Sequence, residues 1–187
     1  MAARDTILDA AARVILEQGI ARATTKEIAR EAGYSEALLY KHFADKQEIF
    51  LAVLRERVPP LPGLDDLTPD RPVAENLERL TTALLRFYLQ SFPMAASLFG
   101  ERRLLAPWRE GLAERGAGPQ GPVLLVRRYL QTERDAGRLP RDLDPEGTAE
   151  LLCGAALQQA FLAAFADERE FADAPVIARR LVAALRL

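Results

Sequence analysis

Apolar residues recur at intervals of three and four along most of this chain, and glycine, proline and capping residues separate the runs. Ile7, Leu8, Ala11, Val14 and Ile15 form the first stripe, which predicts a helix over 5–18 stopped by Gly19. Thr24-Thr25-Lys26-Glu27 has the form of a capping box, in which a hydroxyl serves a free N–H of the first turn and a glutamate three residues on reaches back. A second, short helix then runs to about Ala32. Gly33 takes a left-handed turn cheaply, and Ser35 can cap a third helix ending near Phe43. Asp45 with Glu48 makes another box and opens a fourth helix carrying Ile49, Phe50, Val53 and Leu54. Four helices therefore fit before residue 59, the middle two joined by a tight turn.

Residues 59–72, PPLPGLDDLTPDRP, hold five prolines and one glycine, which ends the fourth helix and marks a connecting loop. Beyond it Leu77, Leu80, Leu84 and Phe87 make one stripe, and Leu85, Tyr88 and Leu89 extend it around the helix, as in a core element. Pro93 and Pro107 predict that 93–115 is a broken helix or two short ones. GAGPQG, residues 116–121, separates these from a helix over 122–136 that Gly137 and Pro140 terminate. Helices over 145–166 and 174–187 complete the chain, with Pro145 and Pro175 in first turns where proline costs nothing. No strand pattern and no repeat is present, so the expected fold class is all-α.

The segment TTKEIAREAGYSEALLYKHFADKQEIF, Thr24 to Phe50, closely resembles the DNA-binding signature of the tetracycline-repressor (TetR-type) family of bacterial regulators. The capped helix, the Ala-Gly turn, the Leu-Tyr-x-His-Phe segment and the lysine just inside the next helix stand at that family's spacings without a gap. The resemblance covers residues 5–54; beyond them it rests on the succession of helices and the total length. It implies an N-terminal three-helix helix-turn-helix DNA-binding domain over 1–45, then a C-terminal helical effector-binding and dimerisation domain over 46–187, with helix 46–58 connecting. It also implies a ligand-responsive transcriptional regulator, a homodimeric repressor released from a palindromic double-stranded DNA operator by a small molecule. The alternative is a regulator of the same fold controlled by a protein partner.

In a helix-turn-helix the second helix lies in the major groove and the first crosses the backbone. The resemblance thus places Glu36, Ala37, Leu38 and Lys41 toward base edges. The apolar pair suits thymine methyls, Lys41 guanine acceptors or a phosphate, and Glu36 the amino group of cytosine. Tyr40, His42, Thr25 and Lys46 match the family's backbone contacts, and Lys26 and Ser35 complete the expected DNA-binding set. Glu36 and Lys41 have a second reading as a solvated surface pair, and Tyr40 as a packed side chain. Leu39 and Phe43 belong to the core.

Net charge is −2, which argues against a general polyanion binder, and residues 22–46 carry five basic against four acidic side chains. Any DNA contact is then local and doubled by symmetry. Cys153 is the only cysteine and His42 the only histidine. A disulfide framework, a thiolate cluster, a zinc site and a Cys–His nucleophile pair are all disfavoured, and Cys153 reads as a small buried residue. GAGPQG satisfies the letters of a dinucleotide fingerprint but follows a helical pattern rather than a strand. Neither cofactor, metal nor enzymatic activity is expected. Asp5 and Asp9 interrupt the start where a secretion signal would be basic and then apolar. LLCGAALQQAFLAAF, broken by Gln158 and Gln159, falls short of the roughly 20 residues a bilayer span needs. The expectation is a soluble cytoplasmic protein with no membrane partner.

For the dimer, the resemblance implies a four-helix bundle built from the last two helices of each chain. Small residues around Gly154 and Ala155 permit close approach, and Leu151, Leu162, Phe165, Ile177, Leu181 and Leu185 supply apolar surface. The aromatics between 77 and 166 exceed what one small core needs, which points to an apolar effector pocket. Its candidates are Phe87, Tyr88, Phe92, Met94, Phe99, Trp108 and Tyr129, with Arg128 as partner for an acidic effector.

Overall fold

A computed structural model describes residues 2–64, 67–114 and 118–187. The described residues form helices and no strand, so the chain is all-α: α1 (Ala3–Gln18), α2 (Thr25–Ala32), α3 (Glu36–His42), α4 (Lys46–Glu56), α5 (Val73–Gly100), α6 (Arg102–Ala113), α7 (Gly121–Asp135), α8 (Pro145–Phe165) and α9 (Ala174–Ala184). They cluster in two compact units, 1–59 with 93–116 and 60–92 with 117–187. Gly116 and Ala117 of the GAGPQG segment lie outside the described residues.

The first unit is organised by α1, whose Ile7, Leu8, Ala11, Val14 and Ile15 are buried together with Ile28 and Ala29 of α2, Leu39 of α3, and Ile49, Phe50 and Val53 of α4. The caps set the short helices between them. Thr24 accepts from the Glu27 N–H while the Glu27 side chain accepts from the Thr24 N–H, the reciprocal box the spacing predicts. Gly33 closes α2 at φ 72°, and the Tyr34 N–H returns to the Ala29 carbonyl at 2.9 Å, a Schellman-type end. Ser35 Oγ accepts from the Leu38 N–H. At α4 the expected box is half made: Asp45 accepts from the Glu48 N–H, but the Glu48 carboxylate takes the N–H of Ala44 instead of Asp45. Ion pairs tie the start of α1 to the end of α4. Arg4 donates to both Glu56 oxygens at 2.8 and 2.7 Å. Arg57 reaches Asp9 at 2.7 Å and Asp5 at 3.2 Å.

Residues 93–100 do not form a separate short helix. α5 runs through Pro93 to Gly100, and Pro107 likewise lies inside α6. An interior proline costs about 3 kcal/mol through its missing N–H and its ring. Here the apolar side chains beyond it, Met94 and Leu98, are buried in the core of the first unit, and that burial offsets the cost. Serines flank the proline and bond back one turn, Ser91 to the Phe87 carbonyl and Ser97 to the Pro93 carbonyl, as hydroxyls do where helices bend. The boundary between the two units falls at this proline.

The second unit packs α5 before Pro93 with α7, α8 and α9. Leu77, Leu80 and Leu84 meet Val126, Tyr129 and Leu130 of α7, Leu152 and Cys153 of α8 and Val182 of α9. α8 spans 21 residues, so it does reach the length of a bilayer span, contrary to the sequence expectation. Its buried stripe, Ala149, Leu152, Cys153, Ala156, Ala160 and Ala163, is packed inside this unit, as in a core helix. Burial pushes the Cys153 thiol up to about 11, which leaves it a protonated core side chain. Burial also raises the Tyr88 phenol beside it. Among the described residues of this unit, Asn76 Oδ1, Thr81 Oγ1 and Tyr129 OH are buried without a well-formed hydrogen bond, with Asn76 and Tyr129 beside each other.

These features give two expectations for stability. The Arg4 guanidinium holds the Glu56 carboxyl below its ordinary range. The unfolded chain therefore binds that proton more readily, and the pair's contribution is full above the unfolded value and lost as pH falls through the lower, folded one. Glu56→Gln should flatten that part of the acid limb in a pH series of thermal melts, and an unchanged limb would contradict the pairing. Tyr129→Phe removes a buried hydroxyl that has Asn76 beside it but no well-formed hydrogen bond. It should leave stability unchanged or raise it by up to about 1 kcal/mol in urea unfolding, whereas a loss of that size would show the hydroxyl to be paired.

Candidate nucleic-acid interface

α3 has seven residues, and its orientation follows from one of them and from the residue that caps its end. Leu39 and Phe43, four apart, are fully buried or nearly so, at 0% and 3% exposure. With that pair turned inward, helical periodicity turns Glu36, Ala37, Tyr40 and Lys41 outward, and all four are exposed. Ser35, His42 and Lys26 are exposed as well, while Thr25, Leu38 and Lys46 are half-buried. The ten residues expected to meet DNA thus lie on α2, α3, their turn and the start of α4, within the first unit.

A side-chain network joins the starts of α2 and α3. The Thr25 hydroxyl donates to Glu36 Oε2 at 2.9 Å, and the Tyr40 hydroxyl donates to Thr25 Oγ1 at 3.5 Å. Glu36 is therefore partnered by Thr25 across the turn, not by Lys41 as a surface ion pair. Tyr40 is half exposed, which leaves its phenol accessible rather than packed. The Lys46 ammonium lies over the Phe50 ring, 5.0 Å from its centroid, at the start of α4. The Arg4 guanidinium stacks 5.4 Å from the Phe43 ring while it holds Glu56, so it touches the end of α3 and the end of α4 together.

The pocket candidates separate between the units. Phe87, Tyr88, Phe92, Arg128 and Tyr129 belong to the second unit. Met94 and Trp108 instead pack on the core of α1–α4, and Phe99, also in the first unit, is 72% exposed. The chain passes from one unit to the other at Pro93, so Met94 and Trp108 beyond it pack on the first unit's core, while Phe99 in the same unit stays exposed. In the second unit Phe87 and Tyr88 meet edge to face at 5.5 Å, and Arg128 is exposed.

The dimer candidates also divide. Leu151, Leu162 and Phe165 stand 71%, 50% and 83% exposed on α8 and Ala155 is half-buried beside them. Ile177, Leu181 and Leu185 are partly buried against the second unit's own cores. Sequence reasoning missed Leu157, Phe161 and Val176, all exposed and apolar. Apolar residues occur on every side of α8, so periodicity alone could not tell its outer face from its inner one.

Known proteins share both the head and the wider fold. The family described as "Bacterial regulatory proteins, tetR family" matches residues 7–53, which are α1 through most of α4. The HTH-type transcriptional regulator SrpR of Pseudomonas putida is 40% identical over 82 residues, a stretch that makes up 44% of this chain and 38% of that protein. The chain thus matches well under two thirds of that relative's length. Over nearly the whole chain, the structure superposes on the TetR-family regulator PfmR of Thermus thermophilus with a TM-score of 0.70 at 21% identity, covering 96% of each chain. It superposes on FadR of Bacillus subtilis, solved in complex with stearoyl-CoA, with a TM-score of 0.67 at 19% identity, covering 97% of this chain and 96% of that one. At these identities the shared property is the fold. The head, residues 7–53, thus matches the tetR family of bacterial regulatory proteins in sequence, and the chain shares its fold along its length with solved TetR-family regulators.

Proposed function

We propose that the chain is a cytoplasmic DNA-binding transcriptional regulator that works as a homodimer and is released from a palindromic operator by a small molecule. The observation that carries this reading is the face of α3: Leu39 and Phe43 anchor it, and Tyr40, Lys41 and His42 with Thr25 and Lys46 surround an exposed reading surface. The five bases of residues 22–46 make no ion pair among the described residues, so they are free for phosphates, whereas Glu31 is held by Arg13 at 2.8 Å and Glu27 and Asp45 serve caps. Phosphate contacts position such a head, and base-edge contacts give it sequence preference.

The outer face of α8 supports the dimer. Leu151, Phe161, Leu162 and Phe165 recur at helical spacing, and Phe161 stacks on Phe165 with ring centroids 6.2 Å apart. A face with this many exposed apolar side chains marks an interface, and an obligate one buries on the order of 2,000 Å². For the effector, the second unit offers Phe87, Tyr88, Phe92 and Tyr129 with the buried polar atoms of Asn76, Thr81 and Tyr129 that lack a well-formed hydrogen bond. A ligand that pairs buried orphans recovers a desolvation cost the protein bears in its absence. The complex of FadR with stearoyl-CoA, a protein of the same fold, supports an effector of small-molecule type.

Selection from random duplexes should return a two-fold motif with half-sites about 34–36 Å apart, one duplex turn. Affinity should fall with salt at a log–log slope of about −0.9 per phosphate neutralised. Tyr40→Phe and Lys46→Ala should weaken all sequences alike, while changes at Ala37, Leu38 or Lys41 should alter base preference. No enriched motif, or a slope near zero, would sink the reading. Phe165→Glu should convert the dimer to monomer in light scattering at micromolar concentration, since it places a charge at the most exposed ring of that face, at the end of α8. It tests the dimer better than a change at Leu181, which also packs inside its own unit. A dimer unaffected by Phe165→Glu would move the interface elsewhere.

A further inference from the structure

α8 ends in a Schellman turn: the Asp167 N–H donates to the Ala164 carbonyl at 3.1 Å and the Glu168 N–H to the Ala163 carbonyl at 2.9 Å. Its left-handed residue is Asp167, at φ 58°, a conformation that aspartate tolerates better than most side chains. The reversal brings the chain after it back against α5. There Phe171 packs on the clusters that hold Leu85 and Leu89 of α5 and Ala156, Ala160 and Ala163 of α8. Where α5 and α8 meet, α8 contributes alanines, and the Phe171 ring supplies the bulk they lack.

Between α5 and this returning segment lies a groove of about 300 Å³, inside the second unit and lined by none of the residues assigned above to DNA, dimer or effector. Its floor is apolar: Leu89 and Ala174 are buried and Phe171 is half-buried. Arg86 and Gln90, one helical turn apart, edge it on α5, and Arg169 and Glu170 edge it on the other side. All four are exposed. Among the described residues Arg86 and Glu170 form no ion pair. Arg169 approaches Asp167 at 3.8 Å with both side chains well exposed, a pairing worth little. Two guanidinium groups thus stand beside an apolar floor without a firm anionic partner.

We propose that this groove binds a small apolar monocarboxylate, its carboxylate held by Arg86 and Arg169 and its hydrocarbon body laid on Leu89, Phe171 and Ala174. A guanidinium offers a planar fork of donors that matches a carboxylate. Two arginines against Glu170 leave one net positive charge at the rim, which a single carboxylate neutralises, whereas a doubly charged head would meet Glu170 as well. Gln90 adds a neutral amide donor. The volume is at the lower end of small-molecule sites, which limits the body to about a ring and a short chain. Such a ligand would tie α5 to the turn that leads into α9. The site is separate from the effector proposed above and does not depend on it.

The test titrates the full chain by calorimetry with phenylpropionate, the uncharged phenylpropanol and the doubly charged phenyl phosphate, and follows amide exchange with and without the first. Phenylpropionate should bind, and phenylpropanol should bind at least about 10-fold more weakly. Arg86→Gln and Arg169→Gln should each weaken phenylpropionate about 10-fold, the loss of one charge-assisted hydrogen bond. Gln90→Trp should abolish binding by filling the groove. Glu170→Gln should narrow the gap between phenyl phosphate and phenylpropionate by about 2- to 5-fold. All four substitutions fall on exposed side chains, and unchanged thermal melts will show that the variants fold. Exchange should slow over 169–174. A wild type that binds none of the probes, equal binding of the alcohol, or affinity that survives both arginine changes would each overturn the site. So would protection around Tyr129 in place of 169–174, which would assign the probe to the effector candidates.

Discussion

A helix of seven residues does not persist alone in water, because fixing its first turn costs more than its few hydrogen bonds return. α3 exists because Leu39 and Phe43 are taken into a core built on α1 and α4, and burying two such side chains is worth about 1.5–3 kcal/mol each. That single requirement dictates the rest of the head. It fixes the rotation of α3, hence which side chains are outward. It makes α1, which carries none of the expected DNA contacts, indispensable to the reading surface. It also explains the density of caps around α2 and α3: each short helix has few backbone bonds of its own, so Thr24, Gly33 and Ser35 satisfy ends that make up much of its length.

Electrostatics in the first unit serves geometry more than stability. The ion pairs of Arg4 and Arg57 stay in contact with solvent, where such pairs are worth little in free energy. Their value lies in joining parts distant in sequence: the bidentate Arg4–Glu56 pair and the Arg57–Asp9 pair hold the two ends of residues 4–57 in register, and the Arg4 guanidinium also covers the Phe43 ring. Among the described residues, the bases of residues 22–46 form no ion pair, although Lys46 rests on the Phe50 ring. Three of the four acids that balance the count, Glu27, Glu31 and Asp45, are turned to caps and an internal pair, while Glu36 stays on the outward face beside Thr25.

What was legible in the sequence followed the range of the interactions. Thr24 with Glu27, Gly33 and Ser35 act within four residues, and each is found in the role its spacing predicts. The inward pair Leu39 and Phe43 was legible for the same reason. Reach across the chain was not. Thr25 and Glu36 are eleven residues apart and meet only because the turn between α2 and α3 brings their first residues together. The division of the aromatics between two cores depends on where the chain crosses from one to the other, and no local pattern at Met94 or Trp108 records that. α8 failed in a third way: small and apolar residues surround it, so its sequence marks a helix without marking a side.

Pro93 has a thermodynamic corollary. Cooperative unfolding spreads along a helix because each residue's hydrogen bond steadies the next, and at a proline one link of that chain is missing. α5 therefore belongs to two cores with its weakest point at their boundary. The turns before Pro93 draw their protection from one core and the turns after it from the other, so amide exchange along this one helix should follow two separate opening free energies. A continuous helix on paper is, by that measure, two cooperative elements.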